Sequence, residues 1–182
     1  MNTYFCGMIG TGKTTIGLRL AEELGLDFFD LDREMDRQLG YSFHRLVAEK
    51  GWLAFRELEY SICRGFSKRK NSIICLGGGT VRYDWNVDVL RPSGKLILLE
   101  ASIDALVERV SKADRPRVNE GVSLEEDLRM MWEQSRDKYL SAADIIYRTD
   151  EKTEEEEVWD LKNMILTDPE FVDLKKNCKI PS

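Results

Sequence analysis

Residues Gly7 to Thr14 read GMIGTGKT and match the pattern G-x-x-x-x-G-K-[ST], which is typical of a loop that binds polyphosphate. Gly10 and Gly12 can adopt the positive φ angles that bring backbone N–H groups close to phosphate oxygens. Lys13 can reach the β- and γ-phosphates, and the Thr14 hydroxyl can hold Mg²⁺. The stretch therefore predicts a nucleotide site and, with it, an α/β fold.

The flanking sequence supports this interpretation. A short apolar run, 3–6, precedes the loop as a buried strand, and a helical pattern follows it and stops at Gly25. The loop would thus lead into a helix N-terminus, where the helix dipole favours anions. The predicted ATP-binding residues of this segment are Gly10, Thr11, Gly12, Lys13, Thr14 and Thr15.

The composition narrows the class of protein. The chain has 182 residues, a net charge of −6 and a hydrophobic content of 42%. We expect one domain, 1–182, with no membrane span, since no stretch approaches the roughly 20 apolar residues required. The acidic balance argues against nucleic acid as the main partner.

The cysteines and the start of the chain indicate the cellular compartment of the protein. None of the four cysteines forms a C-x-x-C pair, which favours reduced thiols. The loop begins at Gly7, so we expect no secretory leader and a cytoplasmic enzyme. His44 is the single histidine and lies in an amphipathic pattern, so any general base is expected to be a carboxylate.

Short apolar runs alternate with helical patterns, which is typical of βα units around a parallel sheet. Capping boxes, Ser123 with Glu126 and Thr153 with Glu156, predict two helix starts. The polar segment 111–121 is predicted to be a mobile lid. The weakly patterned segment 168–182 is predicted to be an appended, frayed tail. The predicted strands are Tyr4–Cys6, Phe28–Asp30, Ile73–Leu76, Lys95–Leu99 and Asp144–Tyr147.

Two carboxylates follow the second predicted strand, at Asp30 and Asp32. Ligands of open parallel sheets bind beyond the carboxyl ends of the strands, so one carboxylate could order Mg²⁺ through water while the other accepts a proton from a substrate hydroxyl. The alternative is that Asp32 caps a helix and Asp30 is merely solvated.

Further candidates lie downstream. Arg56 and Glu59 lie on one face of a predicted helix. They could form an ion pair on the surface, or the Arg56 guanidinium could bind a substrate carboxylate. Three consecutive glycines, 77–79, follow a strand and would let the backbone approach a ligand. Arg115 in the predicted lid and Arg136 on the next helix could neutralise phosphate and acceptor charge.

Together these positions closely resemble the shikimate kinase family, and the resemblance extends over roughly residues 3–165. The matching elements, in chain order, are Gly7-x-x-Gly10-x-Gly12-Lys13-Thr14, Asp30-x-Asp32, Met35-Asp36-x-x-x-Gly40, Phe55-Arg56-x-x-Glu59, Gly77-Gly78-Gly79, Arg115-Pro116 and Arg136-x-x-Tyr139.

The resemblance implies a P-loop NTPase fold with three α/β/α layers, a five-stranded parallel sheet, a lid and a helical substrate-binding region. It implies transfer of the γ-phosphoryl group of ATP to the 3-hydroxyl of shikimate, with Mg²⁺, by a monomer. Asp32 would be the base, and Lys13 and Arg115 would act on the phosphates. The carried-over roles also include Asp30 and Thr14 at Mg²⁺, Arg109 near adenine, and Arg56, Gly77, Gly78, Gly79 and Arg136 at shikimate.

Two other functions stay open at this point. One is a related small-molecule kinase that acts on gluconate or a nucleotide, and the other is a nucleotide-binding module without catalysis. The first does not by itself explain the paired carboxylates together with the glycine triplet. Intact Lys13, Thr14, Asp32 and Arg115 argue against the second.

Overall fold

The structure is a computed structural model that describes residues 1–112, 121–176 and 178. Five strands form one sheet: β1 Asn2–Cys6, β2 Asp27–Asp30, β3 Ser72–Cys75, β4 Gly94–Glu100 and β5 Ile145–Arg148. Their order is β2-β3-β1-β4-β5, and every neighbouring pair is parallel. The predicted parallel five-stranded sheet is confirmed, with strand ends that shift by one or two residues.

Helices connect the strands, as right-handed crossovers in a parallel sheet require. The α-helices are α1 Lys13–Leu24, α2 Leu31–Leu39, α3 Phe43–Phe66, α4 Asp84–Leu90, α5 Ile103–Ser111, α6 Leu124–Ala142, α7 Glu154–Thr167 and α8 Val172–Lys175. Short 3₁₀ turns lie at Thr80–Arg82, Arg91–Ser93 and Pro169–Phe171. Among the residues described, no helix has the length and apolar character needed to span a bilayer.

Local sequence explains where several helices begin and end. Ser123 caps α6 and Thr153 caps α7, each in a complete capping box, as predicted. Helix α1 ends at Gly25 in the left-handed conformation. Helix α3 is broken at Gly51, whose φ of 80° and ψ of 175° are not helical, so Arg56 lies on the second of two helical segments.

The sheet has a hydrophobic core on each face because side chains alternate along each strand. Tyr4 and Cys6 of β1 belong to the core beneath α2, α3 and α6. Phe5 belongs to the opposite core, with residues of α1 and α7. The two cores give the three α/β/α layers, and the carboxyl ends of the strands meet at one edge.

The start of the predicted tail is not frayed, so that prediction is wrong for residues 168–175. Phe171 and Leu174 are fully buried in the core formed with α1 and α7. Isolated apolar side chains in a weakly patterned segment were enough to anchor it. Residues 177 and 179–182 lie outside the described residues.

Candidate active site

The phosphate-binding loop connects β1 to α1 at the carboxyl edge of the sheet. Gly10 and Gly12 have φ angles of 83° and 86°, in the region that only glycine adopts easily. The Thr11 hydroxyl donates to the Met8 carbonyl at 2.9 Å and closes the turn. No side chain caps α1 at Gly12, so its first-turn N–H groups are available to an anion.

The Lys13 side chain folds back into this loop. Its Nζ donates to the carbonyl oxygens of Gly7 at 2.9 Å and Met8 at 2.8 Å. Burial lowers the pKa of Lys13, although the nearby Asp32 and Asp30 carboxylates act in the opposite direction. A phosphate in the loop would supply the counter-charge that burial makes favourable.

Thr14 and Asp30 form the pair that was predicted at the metal. The Thr14 hydroxyl donates to Asp30 Oδ2 at 2.8 Å, while Asp30 Oδ1 accepts the Arg33 N–H at 3.2 Å and caps α2. The expected alternative, a cap from Asp32, is therefore wrong, because Asp30 is the capping residue and Asp32 lies in the first turn of α2.

Oxygen donors at this place fit Mg²⁺, which prefers few protein ligands together with water and phosphate. Within the described ranges, no group of three or more His, Cys, Asp or Glu side chains could hold a metal ion on its own. The pair of Thr14 and Asp30 thus suits an ion that arrives with a nucleotide, and it does not form a protein-only metal site.

The glycine triplet lies between the phosphate loop and the predicted acceptor residues. A Cβ atom at Gly77 would lie 3.1 Å from Asp32 Oδ1, and one at Gly79 would lie 3.3 Å from Arg56 Nη2. A Cβ at Gly78 would be 3.9 Å from the carbonyl oxygen of Gly7. The triplet therefore has Asp32 next to its first residue and Arg56 next to its last, beside the phosphate loop.

Arg56 is largely buried and is held from two sides. Its Nη1 donates to Glu59 at 2.8 Å, and its side chain is 16% exposed. The guanidinium also lies over the rings of Tyr83 and Phe55, at 4.5 and 4.7 Å from their centroids. The surface ion pair considered from the sequence is therefore wrong: this pair is buried, with Glu59 only 1% exposed.

Arg136 lies on α6. Tyr139, three residues later, donates from its hydroxyl to the Gly78 carbonyl, and residues three apart lie on one side of a helix. Arg136 itself is exposed, and it makes no ion pair with any residue that the structure describes.

Arg109 contacts the outer side of the phosphate loop. Its Nη1 donates to Thr149 Oγ1 at 3.0 Å and to the Gly10 carbonyl at 3.4 Å, and its Nη2 donates to the Thr149 carbonyl. Thr15 is exposed in the first turn of α1. Arg115 and most of the predicted lid, residues 113–120, lie outside the described residues, while Ser111 is still part of α5.

Two cysteines, Cys6 and Cys75, lie buried next to the phosphate-binding loop. Cys75 donates from its Sγ to the Lys13 carbonyl at 2.9 Å, and burial raises its pKa above the ordinary value. Burial likewise raises the pKa of Cys6 to about 12. Both are buried, and neither forms a disulfide with a residue that the structure describes.

Two residues at the acceptor side escaped the sequence analysis. Thr80 and Asn86 are fully buried and bind Glu59, which the sequence analysis noted only as the neighbour of Arg56. The position of Thr80 directly after the glycine triplet was the available signal. Neither residue type in a 3₁₀ turn or a short helix indicates a site by itself.

Comparisons with known proteins agree with this geometry. A family model described as shikimate kinase matches residues 9–165. A shikimate kinase of Chlorobium luteolum is 35% identical over 82% of this chain and 77% of its own length, and one of Chlorobaculum parvum is 36% identical over 82% and 83%.

Solved structures give the same picture. The shikimate kinase of Acinetobacter baumannii in complex with shikimate superposes with a TM-score of 0.82 at 26% identity, covering 91% of this chain and 93% of its own. The shikimate kinase of Aquifex aeolicus superposes with a TM-score of 0.75 at 27% identity, covering 88% and 94%.

Proposed function

The chain belongs to the shikimate kinase family, and we propose that it transfers the γ-phosphoryl group of ATP to the 3-hydroxyl of shikimate. The observation that carries the proposal is the glycine triplet, which has Asp32 at one end, Arg56 at the other and the phosphate loop beside its middle residue. A small hydroxylated carboxylate can bridge Asp32 and Arg56 there while it faces the donor phosphate.

In the proposed reaction, Asp32 accepts the proton of the 3-hydroxyl as its oxygen forms a bond to the γ-phosphorus, and the bond to the β-phosphate oxygen breaks to release ADP. Lys13 and Arg115 neutralise charge on the phosphoryl group in transfer. Arg56 and Arg136 bind the carboxylate, and Gly77, Gly78 and Gly79 allow the ring to approach the backbone.

Thr14, and Asp30 through water, would hold Mg²⁺, which would neutralise charge on the β- and γ-phosphates when it is bound. Arg109 would lie beside the adenine, since it already contacts Gly10 at the outer side of the loop. We further propose that the chain is a single cytoplasmic domain that acts as a monomer, without nucleic-acid or membrane partners.

Neither alternative function is favoured. A gluconate- or nucleotide-type kinase does not require Arg56 buried against the glycine triplet, and the family match spans the residues of both halves of the site. An inactive nucleotide-binding module does not require an acceptor half in which Asp32 and Arg56 flank the glycine triplet.

The test is ADP release with ATP, Mg²⁺ and a panel of acceptors: shikimate, gluconate and nucleoside monophosphates. We expect turnover with shikimate and, at most, background rates with the others. Turnover of another acceptor without turnover of shikimate would overturn the proposal. A reaction with EDTA in place of Mg²⁺ is the control for the metal, and its activity should fall to background.

A further inference from the structure

Glu59 is a buried carboxylate with an unusual number of donors. Its side chain is 1% exposed and accepts three hydrogen bonds from three elements. Oε2 accepts from Arg56 Nη1 at 2.8 Å and from Asn86 Nδ2 at 3.2 Å, while Oε1 accepts from Thr80 Oγ1 at 2.9 Å. Asn86 also donates to the Thr80 carbonyl at 3.0 Å, which ties α4 to the 3₁₀ turn.

The donors determine how Glu59 can bind Arg56. A carboxylate and a guanidinium prefer two parallel hydrogen bonds, one for each oxygen. Here Oε1 accepts from Thr80 and Oε2 accepts from Arg56 Nη1, so Glu59 binds Arg56 through a single terminal nitrogen. The Arg56 Nε is buried and has no hydrogen-bond partner among the residues that the structure describes. The guanidinium is thus held in place while its Nε–H remains without a hydrogen-bond acceptor among these residues.

The position of Asn86 leaves one of its own polar atoms without a hydrogen bond to any residue that the structure describes. It is fully buried, and its Oδ1 accepts no hydrogen bond within the described part of the chain. An unsatisfied buried acceptor costs free energy that an apolar side chain of similar size would avoid. What the amide provides is two donated hydrogen bonds, to Glu59 and to the Thr80 carbonyl.

We propose that Thr80 and Asn86 are positioning residues for the acceptor's carboxylate: their hydrogen bonds compete for the Glu59 oxygens, so that Glu59 orients Arg56 through one nitrogen and leaves its other donors to the acceptor. The proposal rests on the proposed function, in which Arg56 binds the shikimate carboxylate. Neither residue touches the acceptor, and both act through Glu59. Without the Thr80 hydroxyl, Oε1 is free to pair with Arg56 and draw it from the substrate.

The test compares Thr80→Val, which removes the hydroxyl at nearly constant shape, with Thr80→Ser, which keeps it. We expect Thr80→Val to raise the KM for shikimate by about 3- to 30-fold, with kcat and the KM for ATP within about twofold of the parent enzyme. Thr80→Ser should stay within about threefold for all three constants.

Asn86→Ala should show the same selective rise, and Asn86→Ser serves in its place if the alanine variant does not fold. A purely structural role would lower the melting temperature and alter both KM values together. An unchanged KM for shikimate in Thr80→Val and in the Asn86 variant would overturn the proposal, as would equal rises in both KM values. Absence of shikimate turnover in the parent enzyme is the distinct result that contradicts the proposed function itself.

Discussion

The donor and acceptor halves of the site are built in different ways. In the proposed function, the donor half is one continuous stretch, Gly7–Thr14, in which backbone N–H groups and one lysine would bind phosphate. The proposed acceptor half is assembled from separate segments: Asp32 of α2 and Arg56 of α3 lie beside the glycine triplet, and Arg136 belongs to α6. Changes to single side chains should therefore affect the acceptor half selectively and leave ATP binding intact.

The largest expected effect is that of Asp32→Asn. The proposed base would be lost with little change in shape, so kcat should fall on the order of 10²–10⁴-fold while both KM values change little. Steady-state kinetics with shikimate and ATP measures this. Asp27→Asn, an exposed residue at the other end of β2, is the matched control and should be neutral. A rise in KM without loss of kcat would identify Asp32 as a binding group only.

Arg136→Ala should weaken the binding of shikimate and leave the binding of ATP nearly unchanged. Loss of a charge-assisted hydrogen bond to the carboxylate should raise the KM for shikimate on the order of 10–100-fold, while the KM for ATP stays within about twofold. Arg129→Ala is the control, since Arg129 lies exposed on the same helix and binds Glu125. Equal weakening of both substrates would place Arg136 outside the acceptor half.

Gly79→Ala tests how closely the triplet fits Arg56. The new methyl group would lie 3.3 Å from Nη2, and the φ of −101° suits alanine, so the effect comes from a small displacement of the guanidinium. We expect the KM for shikimate to rise about 2- to 10-fold. Gly65→Ala, which has no atom within 4 Å of the new methyl, is the control. An unchanged KM for shikimate would show that Arg56 has room to move.

Glu157→Gln should affect stability and leave catalysis nearly unchanged. Burial raises the pKa of Glu157 to about 7. The negative charges of Glu154 and Asp150 also raise this pKa, while the positive charges of Arg109 and Lys152 lower it. Glu157 is 4% exposed, and its Oε1 has no hydrogen-bond partner in the described part of the chain.

Because the folded-state pKa lies above the ordinary value of 4.5, the folded protein holds a proton that the unfolded chain releases, and Glu157 makes stability fall as pH rises from about 4.5 to about 7. Glu157→Gln should thus raise the free energy of unfolding by on the order of 1–3 kcal/mol at pH 8 and by little at pH 4.5. Urea denaturation at the two pH values measures this. Equal effects at both would exclude titration of Glu157 as the cause.

The same contrast explains what could be predicted from the sequence. The phosphate loop and the strands are local patterns, and the structure confirms the strands and places the loop between β1 and α1. The capping role of Asp30 was missed because either aspartate satisfies the pattern, and only the register of α2 decides. The network of Glu59, Thr80 and Asn86 was missed because its three members come from separate elements, and local sequence patterns do not indicate how those elements pack.

The most direct test of the central claim is a crystal structure of this chain with ADP and shikimate. The account predicts the ADP phosphates on the N–H groups of Gly7–Thr14, the shikimate carboxylate on Arg56 and Arg136, and the 3-hydroxyl within hydrogen-bond distance of Asp32. Shikimate bound with its carboxylate away from Arg56, or with its 3-hydroxyl out of reach of Asp32, would contradict it.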